Sequence, residues 1–187
     1  MRQDLRSRPR ASVPATPFRT RACVAHTDFM KGIRSGARRI ISLALGIYVV
    51  WLAFGYRYHF LDGVNLLVHE AGHVVFGPLG QTMAVAGGTI LQLIFPLAFA
   101  FYFWRWGRRF DAAICGVWAS ESLMYTARYL GDARAQELPL IGGHLHDWNF
   151  LLGQAGLLDR AEGLGTALHI VASLAAVFCV WMAWKEA

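Results

Sequence analysis

The strongest constraint on this fold is a series of apolar segments, several of which approach the length that spans a bilayer. They lie at about 39–59, 64–76, 90–106, 110–130 and 165–184. A helix needs roughly 20 apolar residues to cross the hydrocarbon core. Charged residues make up only 16% of the chain, against about 25% in an average soluble domain. The sequence therefore predicts an all-α, polytopic helical membrane protein with one membrane domain at 38–187.

The residues before this domain are basic. Six arginines oppose two aspartates in the first 30 residues, and three prolines interrupt the stretch. We expect residues 1–37 to form a disordered cytoplasmic tail. Alternatives are an Arg-rich targeting segment or an over-long gene start, with Met30 as the true first residue. No aromatic residues alternate with the arginines as base stacking would require, so nucleic acid is not an expected partner.

One motif within the second apolar segment carries chemistry: His69-Glu70-Ala71-Gly72-His73. Residues four apart share a helix face, so His69 and His73 can bind one metal ion. Glu70 is then placed to hold a water molecule and accept its proton. Ionisable groups in a membrane segment are costly, which favours a functional site. The alternative is a pair of helix-face histidines that are hydrogen-bonded to their neighbours.

A catalytic zinc site normally has three protein ligands and one open position. The richest source of a third ligand is the stretch 142–148, Gly-Gly-His-Leu-His-Asp-Trp. Adjacent helical residues project about 100° apart, so only one of Asp147 and His146 is expected to bind the metal. We predict Asp147 as the third ligand and His146 as the alternative. A competing interpretation makes Asp147 the N-cap of a helix that begins near Trp148. The other candidates are His144, Asp132, Glu121 and His59.

Two further regions supply candidate supporting residues. Glu121, Tyr125 and Arg128 share one helix face, which indicates either an active-site wall or a charge-paired structural helix. The long polar connection 131–163 holds Asp132, Arg134 and His144, and connections of this length are often functional. Arg128, Arg134 and His144 are the candidates for stabilising an oxyanion.

The charge pattern bears on topology. The motif segment is short, and the glycine-rich stretch 77–89 has no charge, which suits a segment that re-enters at membrane depth. If all five segments cross, Arg105, Arg108 and Arg109 lie outside, against the positive-inside rule. Four spans and a short or re-entrant motif segment leave them in the cytoplasm, with a cytoplasmic N-terminus. This model also brings residues 131–163 to the side of the membrane on which the motif lies.

The H-E-A-G-H motif in a membrane segment, the Gly-Pro and Gly-Gly return and a distant Asp resemble the site-2 protease family of intramembrane zinc metalloproteases. The resemblance implies Zn²⁺ bound by His69, His73 and Asp147, with Glu70 as general base. That family follows its Asp with Gly, whereas Trp148 follows Asp147 here. The chain is also similar to small bacterial membrane proteins with the same helix and a later His-Asp-Trp, which implies a bacterial inner membrane.

The leading hypothesis is therefore a membrane-embedded zinc metallopeptidase that acts on a membrane protein or peptide among membrane lipids. A zinc-dependent lipid or amide hydrolase would use the same residues. A non-catalytic transporter or assembly factor would instead use Glu70, Glu121 and Arg128 as a buried polar network. A di-iron oxidase is disfavoured because the seven histidines do not form repeated boxes. The sequence specifies neither the substrate nor the oligomeric state.

Overall fold

The computed structural model describes residues 17–139 and 145–187, and these residues fold into helices without any strand. The six α-helices are α1 (Pro17–Gly55), α2 (Phe60–Phe76), α3 (Gln81–Arg105), α4 (Arg109–Gly131), α5 (Asp147–Gln154) and α6 (Ala161–Lys185). Short 3₁₀ turns, Gly77–Leu79 and Leu158–Arg160, precede α3 and α6. The all-α prediction is confirmed for this part of the chain.

The chain divides into two units, residues 1–37 and 38–187. In the first unit, the described residues belong to α1, which begins at Pro17. Helix α1 thus extends into the region predicted as a tail, and the disorder of residues 1–37 stays a prediction. Proline is well tolerated in the first turn of a helix, and no further proline follows until Pro78. Residues 1–16 lie outside the described residues.

Three of the described helices are long and apolar enough to cross a membrane: Gly32–Gly55, Gln81–Arg105 and Leu158–Lys185. These helices indicate a membrane protein. The motif helix α2 has 17 residues and is therefore about 26 Å long, which is short of a hydrocarbon core of about 30 Å. Helix α4 is longer, but Asp111, Glu121 and Arg128 make it too polar to qualify by composition alone.

Helices α4 and α6 pack antiparallel along their lengths. Phe110 and Ala113 at the start of α4 share a core cluster with Ala183 near the end of α6. At the opposite end, Leu130 clusters with Ala161. Between them, the second half of α1 joins the largest cluster, which contains Val49, Leu52, Val117, Met124, Ala172 and Ala176. Alanines on α6 allow the helices to approach closely, because they keep side-chain volume small at the contact.

Helices α2 and α3 form a close antiparallel pair, and this corrects the prediction for residues 77–89. That stretch is not an irregular return, because α3 already begins at Gln81. Two of its glycines, Gly87 and Gly88, serve the packing of the two helices. A Cβ atom on Gly87 would lie 2.5 Å from Cβ of Phe76, and one on Gly88 would lie 2.6 Å from Nε2 of His69. Side chains at these positions would push α3 away from the motif.

The remaining contacts set the helix directions. Asn65 contacts Trp118 and Glu121 of α4, while His69 lies against Tyr129 further along the same helix. Helix α2 therefore runs in the same direction as α4. This arrangement carries the motif towards the end of α4, where the connection to α5 begins.

Candidate metal centre

Three potential ligand atoms converge where α2 meets the start of α5. Nε2 of His69 lies 2.8 Å from Oδ2 of Asp147, and Nε2 of His73 lies 3.3 Å from the same oxygen. The two imidazole rings are 4.8 Å apart and nearly perpendicular, at 81°. His69 and Asp147 are buried, with exposed fractions of 4% and 6%. Residues that are 78 positions apart in the sequence thus meet at one point.

The partners of the other ring nitrogens define the tautomers of both histidines. Nδ1 of His69 lies 3.0 Å from Oε1 of Gln92, and Nδ1 of His73 lies 2.8 Å from the carbonyl oxygen of Ala84. Gln92 is oriented by its amide nitrogen, which donates to the carbonyl oxygen of Ser122. Both Nδ1 atoms therefore donate a proton, and both Nε2 atoms direct a lone pair at Asp147.

With both imidazoles neutral, this arrangement lacks a donor at its centre. Two imidazole lone pairs and an ionised carboxylate oxygen would repel each other at these distances unless a cation or additional protons lay between them. Metal-binding histidines commonly donate their other ring N–H to a carbonyl or amide oxygen in just this way. Zinc bonds of about 2.0–2.1 Å place tetrahedral ligand atoms roughly 3.4 Å apart. The donor set of two histidines and one aspartate therefore fits a zinc ion.

Glu70 completes the motif. Its carboxylate and the ring nitrogens of His69 and His73 supply atoms that all lie within 4.8 Å of one another. The Glu70 side chain is half-buried. A partly exposed carboxylate beside two candidate metal ligands has the placement that a general base requires.

Asp147 reaches the histidines because α5 begins there. The N-cap is His146, whose Nδ1 accepts the backbone N–H of Asn149 at 3.3 Å. The competing interpretation of Asp147 as the N-cap is therefore wrong: Asp147 is the first helical residue, and its side chain is free to face the motif. Its backbone N–H donates to the hydroxyl oxygen of Tyr129 at 3.1 Å, which ties α5 to α4.

His146, the alternative third ligand, lies elsewhere. Its ring stacks on Tyr129 at 4.1 Å between centroids, and its Nε2 lies 3.5 Å from Oδ2 of Asp132 without forming a hydrogen bond. Burial lowers the pKa of His146, and the nearby Asp132 carboxylate only partly opposes this effect. A neutral His146 suits its observed role, because the cap requires an unprotonated Nδ1.

The supporting candidates are dispersed. Asp132 accepts the backbone N–H groups of Glu137 and Leu138 and so closes the turn after α4. Arg134 forms an exposed ion pair with Asp159 at 3.1 Å.

The other supporting candidates also lie away from the motif or outside the described residues. Arg128 donates to the carbonyl oxygen of Tyr56. Glu121 and His59 belong to a separate buried cluster. His144 lies outside the described residues.

Sequence analysis missed three residues that position the site: Gln92, Gly88 and Tyr129. Gln92 is the only amide between Thr82 and Arg105 in α3, and such a polar group in an apolar helix is a usable signal. Tyr129 follows Tyr125 by four residues and so extends the polar stripe of α4. Gly88 carries no such signal, because its role depends on the position of the His69 ring.

No family model, curated protein or solved structure matches this chain.

Proposed function

We propose that this protein is a membrane-embedded zinc metallopeptidase. The observation that supports the proposal best is the convergence of His69 Nε2, His73 Nε2 and Asp147 Oδ2 at one point. Hydrogen bonds at both Nδ1 atoms direct the Nε2 atoms of His69 and His73 towards Asp147, which is the orientation that metal binding requires.

The residues divide the work as follows. His69, His73 and Asp147 hold Zn²⁺, which when bound lowers the pKa of a water to about 7 and polarises a carbonyl group. Glu70 accepts the proton of the attacking water and passes it to the leaving amine. Gln92 and the Ala84 carbonyl keep the histidine rings in their metal-binding orientation.

The membrane arrangement that we propose has four spans: α1, α3, α4 and α6. Although polar, α4 packs along the full length of α6, which is itself long enough to cross. The directions of these helices alternate, so a cytoplasmic N-terminus leaves Arg105, Arg108 and Arg109 in the cytoplasm, as the positive-inside rule favours. Helix α2 is then a short segment that carries the motif towards the outer side. We propose the bacterial inner membrane as its location.

The proposed substrate is a peptide or membrane protein that approaches through the lipid. The experiment uses the full chain in lipid nanodiscs with zinc and a library of transmembrane peptides, and mass spectrometry identifies the products. Wild-type protein should cleave a peptide bond. Glu70→Gln should retain zinc and lose at least about 100-fold in rate, the usual minimum contribution of a general base.

The control variant is Glu162→Gln, which changes an exposed glutamate on α6 and should keep the wild-type rate. An unchanged rate in Glu70→Gln would refute the catalytic role of Glu70. Release of fatty acids from the nanodisc lipids with intact peptides would instead identify a zinc-dependent lipid hydrolase.

A further inference from the structure

A second cluster of ionisable groups lies at the start of α2, apart from the motif. His59, Asp62 and Glu121 each offer a ligand atom, and these atoms lie within 4.8 Å of one another. The side chains of Asp62 and Glu121 are both 0% exposed, and that of His59 is 19% exposed. Asp62 precedes His69 by seven residues in α2, so the two clusters are separated by about 10 Å along the helix.

Neutral donors hold one oxygen of each carboxylate in this cluster. Tyr56 donates to Oδ1 of Asp62, and Asn65 donates to Oε2 of Glu121 at 2.7 Å. Asn65 is in turn fixed by Trp118, whose indole N–H donates to its amide oxygen at 2.9 Å. Such outer contacts orient metal-binding carboxylates in known sites, and Oδ2 of Asp62 also accepts the backbone N–H of His59 at 2.8 Å.

The second oxygen of Glu121 has no partner. Oε1 is buried without a hydrogen bond, and it faces Nε2 of His59 at 3.9 Å, too far for a direct bond. A buried carboxylate oxygen without a partner is costly and calls for an unseen partner. Nε2 of His59 also contacts the Tyr48 hydroxyl, and the gap between Glu121 Oε1 and this nitrogen is where a ligand would lie.

The charge of the cluster indicates whether its ligand would be a cation or an anion. Two carboxylates are buried together, and His59 is the only residue with an ionisable nitrogen that pairs with them in the described part of the chain. Its Nδ1 lies 2.7 Å from Oδ2 of Asp62. Two negative charges in a low-dielectric site require compensation by a cation or by protons.

We propose that His59, Asp62 and Glu121 form a second metal site, which binds a divalent transition-metal ion. One imidazole and two carboxylates are a ligand set for zinc, manganese or iron rather than for calcium, which prefers oxygen alone. The site is independent of the proposed peptidase centre, and its position between the end of α1, the start of α2 and α4 means that its ion would link these three helices.

Zinc is the appropriate probe, because N/O sites generally bind it more tightly than manganese or iron(II). The full-length protein is purified in detergent, dialysed against Zn²⁺ and analysed for bound metal by mass spectrometry. Four proteins are compared: wild type, His69→Ala/His73→Ala, Glu121→Gln, and the combination of all three changes. The expected contents are two, one, one and no zinc ions per chain.

The outcomes separate the two sites. If Glu121→Gln binds as much zinc as wild type and the double histidine variant binds none, the second site is refuted while the first stands. If the double histidine variant binds as much zinc as wild type and Glu121→Gln loses one ion, the first site fails and the second stands. If Asp62 and Glu121 share a proton and bind no metal, zinc binding is expected to be unchanged in Glu121→Gln and lost in the double histidine variant.

Two controls protect the measurement. Glu162→Gln removes an exposed carboxylate and should keep two zinc ions, which excludes loss by general charge reduction. If Glu121→Gln does not elute as a single species, Asp62→Asn replaces it. The double histidine variant also tests the site without any change to the cluster, because absence of zinc from this folded protein would overturn the proposal.

Discussion

Replacing Gln92 with methionine tests whether the histidine tautomer prepares the metal centre. Gln92 Oε1 accepts the proton on Nδ1 of His69 at 3.0 Å, and its amide nitrogen donates to Ser122 and Thr126. Methionine has a similar volume but offers no comparable acceptor. His69 is then free to move its proton to Nε2 and donate it to Asp147, and metal binding must reverse this change.

Two independent estimates give the size of the effect. Loss of an outer hydrogen-bond partner typically weakens metal affinity about 10–100-fold, which equals roughly 1.4–2.8 kcal/mol at 1.4 kcal/mol per factor of ten. A buried N–H that loses its acceptor costs about 1–3 kcal/mol, and His69 is 4% exposed. The Ser122 carbonyl keeps a donor in Thr126, so little further loss is expected there.

The assay is competition for zinc between the detergent-purified protein and a chelator of known affinity. The Gln92→Met protein should show a Kd about 10–100-fold higher than wild type. Gln81→Met, an exposed change at the start of α3, is the matched control and should leave the Kd unchanged. A folded Gln92→Met protein whose Kd lies within about twofold of wild type would refute the tautomer argument.

Two further predictions concern the geometry of the centre. Gly88→Ala should lower zinc affinity, because its Cβ would lie 2.6 Å from Nε2 of His69. Gly163→Ala, whose Cβ would have no atom within 4 Å, should leave the affinity unchanged. Equal dissociation constants in the two variants would contradict the close contact between Gly88 and His69. Asp147→Asn should abolish stoichiometric zinc binding, whereas His146→Ala should keep zinc and lower the stability of the protein by about 1–2 kcal/mol through loss of the helix cap. Metal analysis and thermal unfolding distinguish the two variants, and zinc loss only in His146→Ala would reverse the assignment.

Sequence reasoning reached the parts of the site that depend on local spacing. His69 and His73 share a face because any helix places residues four apart together, whatever surrounds it. The helical class followed from apolar segment length, because a bilayer permits few other spanning structures. Asp147 is predicted ahead of His146 as the third ligand, and of these two residues the structure places Asp147 beside the histidines.

Predictions from the sequence were wrong where a residue type can serve either of two structural roles. The sequence predicts a glycine-rich connection at 77–89, yet Gly87 and Gly88 lie inside α3 and allow it to approach α2. Asp147 was offered as a helix cap, but His146 took that position and freed the carboxylate. Each choice depends on a neighbouring helix that lies far away in the sequence.

The sequence alone thus determined the helices, their membrane character and the pair of histidines, because these follow from composition and from the periodicity of one helix. Only the tertiary structure decided which carboxylate meets that pair, which residues fix the ring nitrogens, and that Glu121 belongs to a second cluster with His59 and Asp62. Those decisions depend on the packing of α2 against α3, α4 and α5. These arrangements depend on contacts between residues that are 23, 56 and 78 positions apart in the sequence. The spacing of residues within one helix does not predict such contacts.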